Sequence, residues 1–252
     1  MYVIGGFGVN QTGSSVVEIF DTRSNEWRAG PPLPIRIHHP NVAAVGAKVF
    51  VAGGYTEPGS IAVADTYELD TDTLTWTRKA DMPSARGAGA AAGHNGRLYV
   101  VGGERGGTTV ADAAVFDPAA NAWTQLQPMP TPRNHMAAAV IRGRIYVVGG
   151  RPGNLAVNEA FNTLTNTWAG KTAMPTPRSG IAAAAAGNFL HTFGGEGNPM
   201  SPIGIFANHA TRVRSNARLA AFATLRHVTL TGAAALTFSP NSVTTIPVTP
   251  ID

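Results

Sequence analysis

Four arginines occupy one recurring place in the chain, and their chemistry suits the binding of acidic groups. Each follows a tryptophan by 9 or 10 residues and precedes a Gly-Gly pair by 16 or 17; they are Arg36, Arg86, Arg133 and Arg178. A guanidinium group is a planar fork of donors that matches carboxylates. The recurrence predicts either a set of sites for acidic ligands or a repeated structural role, in which each arginine donates to backbone carbonyls of an adjacent repeat.

Histidines follow two of these arginines, and glutamates follow two of the Gly-Gly pairs. The histidines are His38 and His135, and Glu104 and Glu196 each come directly after a Gly-Gly pair. No histidine pair shows the spacing of a metal site with a carboxylate nearby, and the chain has no cysteine. We therefore expect no metal and no cofactor.

Known catalytic motifs are missing from the sequence. The glycine-rich stretch "GGERGG" at 102–107 lacks the Lys-Ser/Thr ending of a phosphate-binding loop, so it is interpreted as a loop on a binding face. No Gly-x-Ser-x-Gly segment occurs. An enzymatic role is therefore left open, with binding favoured.

Composition favours many short strands. The chain has 252 residues, of which 44% are apolar, with 29 glycines and 18 prolines; this is typical of an all-β protein. The excess positive charge falls mostly in 210–252, and no basic run is interleaved with aromatic residues, so we expect no nucleic-acid partner. No apolar run approaches the roughly 18 to 20 residues of a membrane span.

A strict internal repeat organises residues 1 to about 200. From each tryptophan to the first glycine of the next pair the distance is 26 residues, four times. The tryptophans are Trp27, Trp76, Trp123 and Trp168, and the pairs that follow them are Gly53-Gly54, Gly102-Gly103, Gly149-Gly150 and Gly194-Gly195. Periods of this size indicate a repeat architecture in which each unit packs on its neighbours.

Each repeat predicts four short strands. An apolar run such as "RIYVVGG" ends at the Gly-Gly pair and is typical of a strand buried on both faces. Six residues before each tryptophan stands Asp or Asn, which suits a hairpin turn. Segments of small residues such as "IAAAAAG" are expected to form innermost strands, where several backbones crowd around an axis.

The joint pattern of Gly-Gly, "FDP" before Trp123 and "MPTPR" after it resembles Kelch repeats, particularly bacterial ones. The resemblance implies an all-β fold, a β-propeller of four-stranded blades, with about five blades represented of six. It places blades at about 1–34, 35–84, 85–131, 132–176 and 177–209, with 210–252 as a degenerate or out-of-frame tail. Innermost strands are expected at about 37–44, 87–93, 134–141 and 179–186, followed outward by the Gly-Gly, Asp and Trp strands.

The resemblance also implies functions. Most Kelch domains are binding modules, and the arginines with His38, His135, Glu104 and Glu196 would lie at one rim of a central channel, facing an acidic peptide or an acidic sugar. The alternative is a carbohydrate-active enzyme resembling N-acetylneuraminate epimerase or mutarotase, using Arg86, Arg133 and Arg178 with Glu104 or Glu196. Copper chemistry like that of galactose oxidase is disfavoured, since its cofactor needs a cysteine.

Both ends depart from the repeat. Met1 falls inside a Gly-Gly strand, so we expect the first blade to lack its innermost strand; no signal peptide is visible, and localisation stays open. Residues 213–223 can be encoded so that a shift of one nucleotide gives Tyr-Asp-Pro-Thr-Arg-Asp-Trp, the pattern missing there. A frameshift near 205–213 is therefore expected, with a divergent final blade as the alternative.

Overall fold

The computed structural model describes residues 1–57, 60–196 and 205–206. Its strands form five successive antiparallel sheets and a separate two-stranded hairpin. The first contains β1 (Tyr2–Ile4), β2 (Val17–Asp21) and β3 (Glu26–Ala29), and the second contains β4 (Asn41–Val45), β5 (Lys48–Thr56), β6 (Ile61–Asp70) and β7 (Thr75–Lys79). A one-turn 3-10 helix, Val9–Gln11, follows β1. The expected tail at 210–252 lies outside the described residues.

The third sheet contains β8 (Ala90–His94) and β9 (Arg97–Val101), then, after a small hairpin of β10 (Glu104–Arg105) and β11 (Thr108–Thr109), β12 (Ala113–Asp117) and β13 (Ala122–Leu126). The fourth contains β14 (Ala137–Ile141), β15 (Arg144–Val148), β16 (Asn158–Asn162) and β17 (Thr167–Gly170). The fifth contains β18 (Ala182–Ala186), β19 (Phe189–Phe193) and β20 (Ile205–Phe206). Among the described residues, no helix has the length and apolarity that a membrane span requires.

Strand order within the sheets follows the prediction. In each four-stranded sheet the small-residue strand pairs with the Gly-Gly strand, which pairs with the Asp strand and then the Trp strand. The innermost strands begin three or four residues later than the sequence predicts. A residue with positive φ stands before each of them, for example His39 (51°) and His135 (51°), and interrupts the strand.

The Gly-Gly strands are buried on both faces, as predicted. Along β5, Val49 and Val51 pack in one apolar cluster with β1 and β2 residues, whereas Phe50 and Ala52 pack in another with β9 and β12. Alternate side chains therefore fill the two spaces on either side of the second sheet. The core is a series of such layers between neighbouring sheets.

The innermost strands crowd together. Consecutive first strands, β4 with β8, β8 with β14 and β14 with β18, contact one another. At Gly93 a Cβ would lie 1.8 Å from the Ala44 carbonyl oxygen. Small residues are required there because backbone meets backbone.

Neighbouring sheets are joined near their inner ends by a hydrogen bond that recurs between successive repeats. The amide of the second glycine of a pair donates to the backbone carbonyl of the arginine in the next repeat: Gly54 to Arg86 at 3.0 Å, Gly103 to Arg133 at 3.0 Å and Gly150 to Arg178 at 2.8 Å. The first glycine of a pair has positive φ; at Gly102 (59°) a Cβ would also lie 2.5 Å from the Arg133 carbonyl oxygen. We call this the inner joint.

An outer joint is made by the tryptophans. In three of the four, the indole Nε1–H donates to a carbonyl in the segment after the preceding sheet: Trp76 to Pro31 at 3.0 Å, Trp123 to Ala80 at 2.9 Å and Trp168 to Gln127 at 2.9 Å. Two residues before the last two tryptophans, Asn121 and Asn166 accept the amides of the same Ala80 and Gln127. In the second sheet the residue two before the tryptophan is Leu74, which has no side-chain acceptor. The matching hydrogen bond could not form there in any case, because Pro31 has no amide hydrogen.

Replacing Trp123 with phenylalanine tests the outer joint. The Trp123→Phe protein keeps an aromatic ring but leaves the Ala80 carbonyl without its indole donor, so we expect the free energy of unfolding to fall by about 1–2 kcal/mol. Urea denaturation measures the change. Trp27→Phe is the matched control because Trp27 is 53% exposed, and its effect should stay within about 0.5 kcal/mol. Equal losses in the two variants would contradict the joint.

The hairpin turns form as the Asp and Asn residues predicted. Asp21 Oδ1 accepts the Arg23 amide at 2.8 Å, and Asp117 Oδ1 accepts the Ala119 amide at 3.0 Å. Backbone hydrogen bonds lower the pKa of the Asp21 and Asp117 carboxyls. Each turn thereby connects its Asp strand to the Trp strand that makes the outer joint.

Candidate functional site

The recurring arginines do not share one environment. Arg86 and Arg133 are buried, at 1% and 0% exposure, Arg178 is also buried, and Arg36 is exposed. The guanidinium groups of the three buried arginines bond to backbone carbonyls: Arg86 Nε to Gly102 at 3.0 Å, Arg133 Nη2 to Val147 at 3.0 Å and Arg178 Nη1 to Gly194 at 3.0 Å.

The sequence also suggests a structural role, in which each arginine side chain donates to backbone carbonyls of an adjacent repeat. For the buried arginines this hypothesis is wrong about the repeat. Gly102 and Val147 belong to the same repeats as Arg86 and Arg133, because each guanidinium group turns back onto the Gly-Gly strand of its own sheet. The adjacent sheet is reached by the arginine's backbone carbonyl, through the inner joint. Arg36 differs, since its Nε donates to the carbonyl of Gly13, in the loop between β1 and β2, at 3.0 Å.

Arg133 also makes a buried ion pair that sequence reasoning missed. Glu159 on β16, 5% exposed, contacts Arg133 Nη1 through Oε2, and Thr131 Oγ1 donates to Glu159 Oε1 at 2.8 Å. Burial lowers the pKa of Arg133, and the Glu159 carboxylate opposes that shift. The signal in the sequence is a glutamate inside an apolar strand, "VNEAF".

A cluster of aromatic rings lies where the innermost strands begin. This histidine cluster consists of Phe7, His38, His39, Tyr55 and His135. The Phe7 and His38 rings stack with centroids 4.4 Å apart, and the His39 and His135 centroids are 5.0 Å apart. His38 Nδ1 and His39 Nδ1 are 2.6 Å apart, so one hydrogen is shared between the two rings.

Polar side chains continue the cluster. Asn134 donates through Nδ2 to Glu104 Oε2 at 3.1 Å, and its Oδ1 lies 2.6 Å from His135 Nδ1. Arg151 forms an ion pair with Glu196 and donates through Nε to Ser179 Oγ at 3.2 Å. We call the histidine cluster together with Glu104, Asn134, Arg151 and Glu196 the histidine face.

The same backbone pattern positions these groups in each repeat. Residues just before the innermost strand form antiparallel bridges with residues just after the Gly-Gly pair: His38 with Tyr55, Gly87 with Glu104, Asn134 with Arg151, and Ser179 with Glu196. His39 in the second repeat and His135 in the fourth both have positive φ, and their rings meet across the third repeat.

Burial controls the charges on the histidine face. It lowers the pKa of His39 to about 4, with further lowering by His135, His38 and Arg151. Burial also lowers the pKa of His135. The positive charge of Arg151 lowers it further, whereas the negative charges of Glu104 and Glu196 oppose the shift. Burial, assisted by Glu104, raises the pKa of Tyr55 to about 12. At neutral pH these groups are uncharged and act as hydrogen-bond donors and acceptors.

The low pKa of His39 makes stability depend on pH. Between pH 6.5 and about 4, the unfolded chain binds a proton at this residue and the folded chain does not, so the free energy of unfolding falls as pH is lowered through this window and is fully retained above it. Urea denaturation of the wild type and of His39→Asn at about pH 7 and about pH 5 should show a smaller loss in the variant. His94→Asn on β8 is the control, and an unchanged loss in His39→Asn would contradict the assignment.

Four of the eight expected ligand-binding residues come together here: His38, His135, Glu104 and Glu196. The three buried arginines do not contribute their guanidinium groups to this face. Sequence reasoning missed Phe7, Tyr55 and Arg151, although each directly follows a Gly-Gly pair as Glu104 and Glu196 do. Within the described ranges, no group of three or more histidine and acidic side chains is placed to hold a metal ion.

The repeated four-stranded sheets and their joints define a repeat protein of the propeller class, whose loops converge on one face. The model of the KLHDC2/KLHL20/DRC7 Kelch-repeats domain matches residues 1–150, and the Kelch motif matches residues 132–175. The chain belongs to the Kelch-repeat family.

Curated relatives match over parts of the chain. Kelch-like protein 25 of Xenopus tropicalis is 30% identical over 103 residues, covering 41% of this chain and 17% of that protein. F-box/kelch-repeat protein At2g44630 of Arabidopsis thaliana is 37% identical over 86 residues, covering 34% of this chain and 21% of that protein. Kelch-like protein 34 of Homo sapiens is 33% identical over 91 residues, covering 34% of this chain and 14% of that protein. The chain thus spans about a fifth or less of each relative, and the expected bacterial type stays a prediction.

Proposed function

We propose that the chain is a protein-binding module that recognises an acidic segment of its partner at the histidine face. The observation that carries the proposal is the convergence of the residues after successive Gly-Gly pairs with three histidines on one surface. Such loops vary from repeat to repeat while the sheets hold them rigidly, which is how recognition surfaces are commonly built.

The charges near this surface support an acidic partner. Arg36 and Arg105 are exposed, and Arg151 is partly exposed beside Glu196. A carboxylate that approaches His39 and His135 would oppose the lowering of their pKa values and accept hydrogen bonds from their rings. Phe7, 54% exposed, offers an apolar contact beside them.

An acidic sugar is the second ligand class, and the arrangement favours it less. The mutarotase-like alternative needs Arg86, Arg133 and Arg178 as free guanidinium groups at the channel mouth. In the structure they are buried and bonded to carbonyls. Binding to the histidine face without catalysis is consistent with these contacts.

Selection from a random peptide library on the immobilised chain tests the proposal. We expect the selected peptides to be rich in Asp and Glu, and Arg151→Ala to weaken their binding about tenfold in calorimetry, because the variant removes a charge-assisted contact. Arg78→Ala is the matched control: Arg78 is an exposed, ion-paired arginine on the outermost strand β7, and its loss should leave the affinity unchanged.

N-acetylneuraminate is titrated in parallel as the acidic sugar. Binding of the sugar without the peptides would replace the protein-partner proposal. Peptides without acidic enrichment, or equal effects of Arg151→Ala and Arg78→Ala, would overturn the assignment of the histidine face.

A further inference from the structure

The third and fourth sheets differ at one structurally equivalent position. Ala114 lies opposite Val100 in the register of β12 with β9, and Glu159 lies opposite Val147 in the register of β16 with β15. The arginine of each sheet donates through Nη2 to that same valine carbonyl, Arg86 to Val100 at 3.2 Å and Arg133 to Val147 at 3.0 Å. Alanine in the third sheet therefore stands where the fourth sheet has the carboxylate partner of its buried arginine.

A pocket occupies the space that the missing side chain leaves. It has a volume of about 200 Å³ and is lined by Ser84, Arg86, Asp112, Ala114 and Leu126 among others. Exposed residues, Pro83, Gln125 and Pro128, form its outer edge, so the pocket opens to solvent. It lies against β12 and β13, the two outer strands of the third sheet, and contains no residue of the histidine face.

The hydroxyl group beside the arginine is present in both sheets. Ser84 and Thr131 each precede the arginine by two residues. Thr131 Oγ1 donates to Glu159 at 2.8 Å, and Ser84 Oγ donates to Asp112 Oδ2 at 2.7 Å. Asp112 thus satisfies the hydroxyl, but within the described part of the chain no carboxylate lies at ion-pair distance from Arg86.

The charges around the pocket are not balanced. Arg86 bonds to Gly102, Val100 and Ser84, which are neutral acceptors. Arg105 Nη1 lies 3.6 Å from Asp112 Oδ2. Burial lowers the pKa of Arg86 to about 10, Asp112 opposes the shift and Arg105 adds to it. Two guanidinium groups face one carboxylate, whereas Arg133 and Glu159 in the fourth sheet are matched one to one.

We propose that this pocket binds one carboxylate group of a ligand, in the place that the Glu159 carboxylate takes in the fourth sheet. The alanine methyl group of Ala114 together with acetate reproduces the side chain of glutamate. The ligand is therefore a small organic acid or the acidic side chain of a peptide, and its single negative charge balances the second guanidinium group.

Thermal denaturation in sodium acetate against sodium chloride of equal ionic strength tests the pocket. At an acetate concentration about tenfold above its Kd, we expect the Tm of the wild type to rise by about 3 °C. The Ala114→Glu protein should have a higher Tm without acetate and should not respond to it. Ala114→Gln, which fills the pocket without a charge, should also lose the response but without the gain in Tm.

Titration of the wild type by NMR gives a readout that needs no variant. Acetate should shift the methyl signal of Ala114 in a saturable way and leave that of Ala43, on β4, unchanged. A blocked peptide with one glutamate, titrated the same way, distinguishes the sources: shifts with the peptide assign the pocket to acidic side chains, and shifts with acetate alone assign it to small organic acids. Absence of both shifts, or an equal acetate response of the wild type and Ala114→Glu, overturns the proposal.

Discussion

The Glu159→Ala protein is expected to lose about 3–5 kcal/mol of unfolding free energy, because removal of one partner leaves the Arg133 charge buried and uncompensated. Arg133 has no exposed surface, and Thr131 Oγ1 loses its acceptor in the same variant. Acetate should restore part of the loss, since the variant creates in the fourth sheet the same vacancy that Ala114 leaves in the third. Urea denaturation with and without acetate measures both effects.

Glu18→Ala is the matched control for this variant. Glu18 stands at the equivalent place on β2 of the first sheet, nine residues before its tryptophan, and is exposed. Its replacement should change the free energy of unfolding by less than about 0.5 kcal/mol. The double variant Arg133→Met/Glu159→Leu should recover much of the loss, because it removes both buried charges. Equal losses in Glu159→Ala and Glu18→Ala would show that the ion pair does not stabilise the fourth sheet.

The Gly93→Ala protein is expected to lose about 3 kcal/mol or more, since overpacking between two backbones cannot be relieved by a side-chain rotation. The new Cβ would stand 1.8 Å from the Ala44 carbonyl oxygen and 3.1 Å from a methyl group of Val45. The innermost strands β4 and β8 must separate to admit it. Chemical denaturation measures the loss, and a reduced yield of folded protein is expected with it.

Gly170→Ala is the control for this second variant. Gly170 ends β17, and a Cβ there would have no atom within 4 Å. Its replacement should leave the free energy of unfolding unchanged or raise it by up to about 1 kcal/mol, because alanine restricts the unfolded chain more than glycine does. A Gly93→Ala protein as stable as Gly170→Ala would contradict the close packing of the innermost strands.

Much of the fold could be predicted from the sequence because its determinants are local. A Gly-Gly pair, a turn aspartate or asparagine and a tryptophan recur at fixed spacing, and each identifies one strand and its position in the sheet. The start of the innermost strands could not be predicted so well. Non-glycine residues such as His39 and Ala88 adopt positive φ there. Such residues rarely have positive φ on their own account, so this conformation depends on the neighbouring bridges to the residues after Gly-Gly.

The environment of the arginines depends on a one-residue difference in spacing. Arg36 lies 17 residues before its Gly-Gly pair, whereas the three buried arginines lie 16 residues before theirs. Ile37, 0% exposed, takes their place: its backbone carbonyl accepts the Gly6 amide at 3.0 Å, as the Arg133 carbonyl accepts the Gly103 amide. Arg36 stands one residue earlier and is exposed. The ion pair of Arg133 could not be predicted from spacing, because Glu159 comes from another strand of the sheet.

The inner and outer joints have a consequence for how such a chain changes over time. Along the middle of the chain, neighbouring units are joined by a glycine amide with an arginine carbonyl and by an indole donor with a lead-in carbonyl. These two joints therefore use parts that recur from unit to unit. A duplicated gene segment that encodes one such unit supplies the parts of both joints, so the array can lengthen by recombination with these joints intact.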